Sequence, residues 1–353
     1  MMTTFIQLHL LTAYAPANLN RDDTGRPKTA MMGGVERLRI SSQSLKRAWR
    51  TSETFQCALS EYIGTRTRRF GREIFQALRK GDVAEKSALT IAAKIAEQFG
   101  KLKADKNAKS PLDNLDIEQL VHLSPEEQRK TMQLVEVLIA EKREPRDDEL
   151  KLLRADVQSV DIALFGRMLA SAPGFNVEAA CQVAHALGVS AVTVEEDFFT
   201  AVDDLNRKEE DAGSAHMGEQ GFASALFYSY VCINRDLLLD NLNHDEALVA
   251  KTVRALTETA LTVSPTGKQN SFASRAYASY ALAERGTQQP RALSVAFFNP
   301  VRGEDQQAQA IARIQQQQQK FARVYGQKSD ERCYEMNVES GEGSLQALLD
   351  FVS

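Results

Sequence analysis

Gln43, Lys46, Arg47 and Arg50 recur at intervals of three and four residues, the spacing that sets side chains on one face of an α-helix. One amide and three cations in such a row can follow a phosphodiester backbone by hydrogen bonding and charge neutralisation, which binds the chain without cutting it. Leu45, Ala48 and Trp49 fall on the opposite side as a buried stripe, and Ser41 or Ser42 stands where an N-cap belongs. Taken alone, a charged face over an apolar stripe is more often simply solvated. Three neighbours bring the binding reading level with that one. Arg37 and Arg39 alternate with Leu38 and Ile40, so the arginines are expected to point away from the core. Gly33-Gly34 permits close backbone approach. The polar stretch 14–34, with its two prolines, is too long for an ordinary connection of about 4–6 residues.

Charge is distributed to match. Residues 21–50 hold eight basic side chains (Arg21, Arg26, Lys28, Arg37, Arg39, Lys46, Arg47, Arg50) against Asp22, Asp23 and Glu36. A chain of net charge -4 therefore carries a local excess of +5, and the remainder holds -9. Such a basic stripe on an acidic body favours a polyanionic partner at one place. A second cluster, Arg66, Arg68, Arg69, Arg72, Arg79 and Lys80, contains a single acid, Glu73.

Other chemistries find little support. None of the five histidines has a neighbour at metal-ligand spacing, and His216 reads as a loop residue. Cys57, Cys181, Cys232 and Cys333 lie far apart, as reduced structural thiols do. There is no G-x-S-x-G elbow, and Gly267-Lys268 lacks the rest of a phosphate-binding P-loop. Asp22-Asp23, Asp203-Asp204 and Glu195-Glu196-Asp197 have the oxygens a hard cation wants, but adjacent acids are usually just solvated. No metal or cofactor is expected. No apolar run nears the roughly 20 residues that span a bilayer, and the N-terminus lacks signal-peptide features, so a cytoplasmic protein is expected.

The elements that must position these residues follow from pattern. Residues 5–11 alternate as a half-buried strand, with Ile6, Leu8 and Leu10 inward and Phe5, Gln7 and His9 outward. Residues 54–154 read as mostly helical and charged, an insertion between strands. Strands are expected at 157–164, 190–194, 225–233 and 293–298, and helices at 177–187, 245–260 and 305–325. Residues 203–221 lack any apolar period and follow Phe198-Phe199, as a projecting hairpin or loop would. Strands separated by helices, with long insertions, give an α+β sheet domain.

Asn20-Arg21-Asp22-Asp23, Gly33-Gly34 and RISSQSLKRAWR at 39–50 resemble the CasC backbone subunit of the type I-E CRISPR Cascade complex. The resemblance continues through VDIALFGRM at 160–168, DFFTAVDDL at 197–205, GSAHMG at 213–218 and Lys268-Gln269. It covers the whole chain, most weakly in the helical insertion. It implies an α+β fold with a modified RRM-like (ferredoxin-like) palm, divided as 1–53 and 157–353, a helical finger insertion at 54–156 and a thumb-like β-hairpin near 197–223. It further implies a non-catalytic subunit that lines up in several copies along one CRISPR RNA, beside other Cascade subunits, and exposes the guide to a target DNA strand.

Carried over by position, the implied RNA contacts are Asn20, Arg21, Lys28, Ser41, Gln43, Lys46, Arg47, Arg50 and Lys268, with Met168 near the palm and Phe199, Val202 and Met217 in the thumb. An apolar wedge between bases interrupts stacking and sets a repeating register. Target-DNA contacts fall among Lys142, Arg143, Arg146, Lys151 and Arg154. Residues 207–211 depart from the resemblance by lengthening the hairpin. Two other readings stay open: a metal-dependent ribonuclease backbone of a related RNA-targeting complex, with Asp22 or Asp23 as its acid, and a general single-strand RNA-binding protein.

Overall fold

The computed structural model describes residues 3–104, 109–154, 156, 158–201 and 216–353, so Val202 and the 207–211 stretch lie outside the described residues. The strands are β1 (Phe5–Ala17), β2 (Thr29–Met32), β3 (Val35–Ile40), β4 (Thr65–Thr67), β5 (Val121–Leu123), β6 (Cys181–Val183), β7 (Ala186–Gly188), β8 (Glu195–Ala201), β9 (His216–Asn234), β10 (Tyr280–Gly286) and β11 (Arg332–Asn337). Nine of them form a sheet in the order β11-β10-β1-β9-β7-β3-β2, with β6 and β8 also on β9. The ladders joining this order are antiparallel, and helices accompany the sheet, which makes the fold α+β. The chain divides into two compact units. The first is Met1–Phe55, Gln182–Asn234 and Val253–Ser353; the second is Gln56–Cys181 with Arg235–Thr252. No helix among the described residues is long and apolar enough to cross a membrane.

β1 lies between β9 and β10, in register from Phe5↔Asn234 and Phe5↔Gly286. Its alternation suggested one wet face, but Gln7 and His9 are as buried as Leu8. The reason is a polar network on that face. The Tyr228 hydroxyl accepts from Leu293 N (2.9 Å) and lies 2.9 Å from His9 Nδ1, while His9 Nε2 faces Glu284 Oε2 at 3.1 Å. This matches a neutral His9 that accepts from the hydroxyl at Nδ1 and donates from Nε2. Arg291 clamps the Glu284 carboxylate with both terminal nitrogens, and Gln318 adds a further donor at 3.1 Å. Beyond Leu11 the same face turns apolar, where Tyr228, Tyr280, Phe297, Ile311 and Ile314 close the core.

Burial holds His9 below its ordinary 6.5, and it also works to raise Glu284, but hydrogen bonds from His9 and Arg291 outweigh it and set that carboxyl at about 2. Both folded values lie below the unfolded ones, so both groups stabilise at neutral pH and lose that contribution on acidification. The loss starts as pH falls below 6.5 for His9, and for Glu284 it runs from 4.5 down toward about 2. Melting temperature is therefore expected to fall in two stages between about pH 7 and about pH 3. Glu284→Gln is expected to flatten the lower stage. A melting temperature indifferent to pH over this range would contradict the network.

Four expected elements differ. The pattern predicts a strand at 157–164, but Val160–Phe165 is a helix with five successive buried residues, because a short apolar run looks alike in either state. It ends at Gly166, where φ is 79°. The alanine-rich composition of 177–187 predicts a helix, but the segment forms β6 and the start of β7, since pairing of Leu187 with both Tyr228 and Arg39 overrides local propensity. Residues 190–194 form no strand; Ser190 makes a lone parallel bridge to Val301, and Val192 N donates to Glu36 O at 3.0 Å. At 293–298 a 3-10 turn (Ser294–Phe297) replaces the expected strand, with Leu293 and Phe297 buried in the core.

Candidate nucleic-acid interface

The basic segment of the first unit is built on two asparagines. Asn18 Nδ2 donates to Gly25 O (3.0 Å) and Gly221 O (2.9 Å), which ties the loop after β1 to β9. Asn20 O accepts from Lys28 N (2.8 Å), closing the loop, and Asn20 Oδ1 accepts from Ser41 N (2.8 Å). Ser41 is the N-cap of α1 (Ser42–Arg50), its hydroxyl accepting from Ser44 N at 3.3 Å. Asn20 and Ser41, implied as RNA contacts, thus also join the loop to the start of the helix.

Asp22 Oδ1 accepts from Thr24 N, Thr24 Oγ1 and Arg26 N at 2.8–3.0 Å. The Thr24 hydroxyl and these N–H groups hold its carboxyl below the usual value. Asp22 is a turn-forming residue. Among the described residues no three His, Cys, Asp or Glu side chains gather as a metal site.

The loop and cap present α1 as its periodicity requires. Leu45, Ala48 and Trp49 are buried; Gln43 and Arg47 are exposed, and Lys46 and Arg50 are half-buried on the same face. Arg21 is exposed and Lys28 half-buried beside it in the chain fold. Lys268 arrives from a distant segment. Gly267 lies so close to Asn18 and Leu19 that a Cβ there would stand 2.2 Å from Leu19 O, and only glycine permits that approach. Thr266 and Gly267 consequently share an open cleft of about 440 Å³ with Leu19, Arg21, Asp23 and Ser44. Lys268 is the next residue, in left-handed backbone at φ 50°.

Arg39 and Arg37 part company. Arg39 is half-buried, donating from Nε to Thr29 O (3.2 Å) and from Nη1 to His185 Nδ1 (2.9 Å). Arg37 is fully buried, contrary to the outward placement expected from alternation. Its guanidinium donates to Gly188 O (3.1 Å) and Phe297 O (3.0 Å), so β7 and the 3-10 turn cover the face that alternation left to solvent. The close approach allowed by Gly33-Gly34 is likewise internal. Both glycines have positive φ (62° and 79°), as a two-residue hairpin turn between β2 and β3 demands. A Cβ on Gly33 would fall 1.6 Å from Phe298 O.

β8 and the first part of β9 pair as a hairpin, with Phe199↔Gly218 and Thr200↔Met217 in register. Phe198 is 61% exposed and Phe199 37%, the latter with its ring over Gly218. The hairpin base meets the basic loop directly: Arg26 pairs with Glu196 at 2.8 Å, and Asn18 holds Gly221.

In the second unit, the VDIALFGRM block acts as a clamp. Asp161 is buried, accepting from Gly64 N (2.9 Å) and Ser159 Oγ (2.9 Å) and facing His122 Nε2 at 2.8 Å. Burial works against its charged form, yet the His122 bond and charge hold its carboxyl below the usual value. Arg167 Nη1 bonds both oxygens of buried Glu127 (2.9 and 2.8 Å), and its backbone bridges Val177. The block ends on Met168, which is 82% exposed at the rim of a 270 Å³ pocket containing Phe99 and Leu120.

The five implied DNA contacts separate too. Arg143 is bound to Glu141 and Glu149, which lifts its guanidinium above its usual value and takes Glu149 down to about 2. Arg154 is held by Asp156 at 2.5 Å. Lys142, Arg146 and Lys151 are exposed.

Sequence spacing carries no sign of His185, Ser44 or Thr266, which reach this surface through the sheet order and the loop packing. No curated protein matches the chain. Among solved structures, a chain of a "CRISPR RNA-guided surveillance complex, pre-nicking" is 30% identical, with a TM-score of 0.84 over 98% of both chains. A chain of a "CRISPR RNA-guided surveillance complex" is 23% identical, with a TM-score of 0.74 over 98% of both, and shares the fold. Residues 6–349 match the family described as CT1975-like protein, and the chain belongs to that family.

Proposed function

We propose that this chain is a non-catalytic, CRISPR RNA-binding backbone subunit of a type I-E surveillance complex, assembling in several copies along the guide and exposing it to a target DNA strand. The observation that carries the reading is the face of α1. Gln43, Lys46, Arg47 and Arg50 share one side of a capped helix whose other side is core, beside Arg21, Lys28 and the Lys268 loop. Cations fixed in this way bind the backbone of any guide, while base pairing reads sequence. The likeness to a chain of a CRISPR RNA-guided complex supports the same reading. The hairpin carrying Phe199 and Met217 supplies the wedge that sets base register, and Lys142, Arg146 and Lys151 remain as target-strand contacts.

Sequencing the RNA that co-purifies with the protein tests the proposal. Repeat-derived RNA of uniform length is expected; a broad sample of cellular RNA would instead favour a general single-strand binder. The non-catalytic part has its own test. Incubating the assembled complex with complementary RNA and Mg²⁺ is expected to leave the RNA intact, because Asp22 is engaged in its turn and no described acid cluster stands ready for a metal. Cleavage at regular intervals would overturn it.

A further inference from the structure

We propose that His185 is a further phosphate contact of this interface, one that takes up a proton when RNA binds. The inference rests on the RNA-binding reading and adds a residue to it. His185 is exposed, just before β7, whose Ala186 pairs with Ile40, so it lies across from the turn into α1. The charged groups that face it come from three elements: Arg39 from β3, Lys28 from the segment entering β2, and Lys46 from α1. Two of these are already implied phosphate contacts.

The hydrogen bond fixes the state of the ring. Arg39 Nη1 lies 2.9 Å from His185 Nδ1, and a guanidinium only donates, so Nδ1 accepts and the ring proton sits on Nε2. His185 without a ligand is therefore a neutral donor beside three cations. Burial first, then Arg39, Lys28 and Lys46, hold it below its ordinary 6.5.

A phosphate arriving among these cations offsets part of their charge and sets an anion beside the ring, which favours imidazolium. Protonation at Nδ1 ends its role as acceptor and releases the Arg39 Nη1 group to donate to the phosphate. The signs follow. A group whose pKa is higher in the bound state makes binding proton-coupled, so affinity rises as pH falls through the bound-state value and levels off below the free-state value.

The test is equilibrium binding of a labelled single-stranded RNA to the full chain at fixed salt, from about pH 8.5 to about pH 5.5. Binding is expected to tighten by roughly three- to tenfold toward acid, the range that corresponds to up to about one unit of pKa change. His185→Gln keeps a neutral donor without a titrating nitrogen and is expected to flatten the profile, with thermal melting confirming its fold. An equal slope in the wild type and the variant, or no slope in the wild type, would overturn the assignment to His185 while leaving the phosphate-following surface in place. Failure of the wild type to bind RNA at any pH would overturn both.

Discussion

Replacing Lys46, Arg47 and Arg50 together by alanine is expected to weaken single-stranded RNA binding about a hundredfold at about 0.1 M salt. Each phosphate neutralised on a single strand contributes about 0.7 to the slope of log affinity against log salt, so three contacts account for about 2 of that slope. Extrapolated from 1 M salt, where the ionic part vanishes, the same slope amounts to about two decades at about 0.1 M. The loss is expected to be the same for any guide sequence, since these cations touch backbone and not bases. Gln43→Ala is the internal control: it removes a donor without charge, so affinity falls modestly and the slope stays. The helix survives these changes, because Leu45, Ala48 and Trp49 keep its buried side and alanine is a strong helix former. An unchanged salt slope in the triple variant would remove α1 from the interface.

The residues around this interface were unequally legible in the sequence. α1 was readable because period, cap and charge all agreed: the apolar stripe at 45, 48 and 49 is buried, and Ser41 caps the helix as its type suggested. Arg37 was not readable. Alternation assigns residues to two faces of a strand but is silent on what covers each face, and here β7 and the turn at Phe297 cover the Arg37 face. The same gap hid the burial of Gln7 and His9, whose partners Glu284 and Arg291 lie far along the chain. Residues 157–194 mislead for a different reason, since short apolar and alanine-rich runs fit helix and strand alike; at Ala186–Gly188 pairing with β3 and β9 decides for strand. His185 and the Gly267 approach depend wholly on long-range contacts.

The clamp behind Met168 yields the second large effect. Arg167 and Glu127 are an almost fully buried ion pair, with side chains 1% and 0% exposed. Glu127 does three things at once: it pairs with Arg167, accepts from Ser124 N (2.9 Å) to complete a capping box on the helix Pro125–Glu141, and accepts from Arg154 N (3.0 Å). Arg167 in turn donates to Phe175 O and Arg154 O as well. Removing one partner of such a pair strands the other charge in a low-dielectric site, at a cost of about 3–5 kcal/mol. Glu127→Ala additionally removes a cap contact worth about 1 kcal/mol. At about 2–4 °C per kcal/mol for a unit of this size, Arg167→Ala is expected to lower melting temperature by about 6–20 °C and Glu127→Ala by about 8–24 °C. Hydrogen exchange should quicken first in Pro125–Glu141 and around Met168. The double variant Glu127→Leu with Arg167→Met is expected to cost less than the two single changes added, because no charge is left behind. Met168→Ala is expected to be nearly neutral for stability, since that side chain is 82% exposed and the clamp lies behind it. Single variants within about 1 kcal/mol of wild type would show that the pair does not hold this unit together. Arg167 and Glu127 would then give no reason for the VDIALFGRM block to end on an exposed methionine.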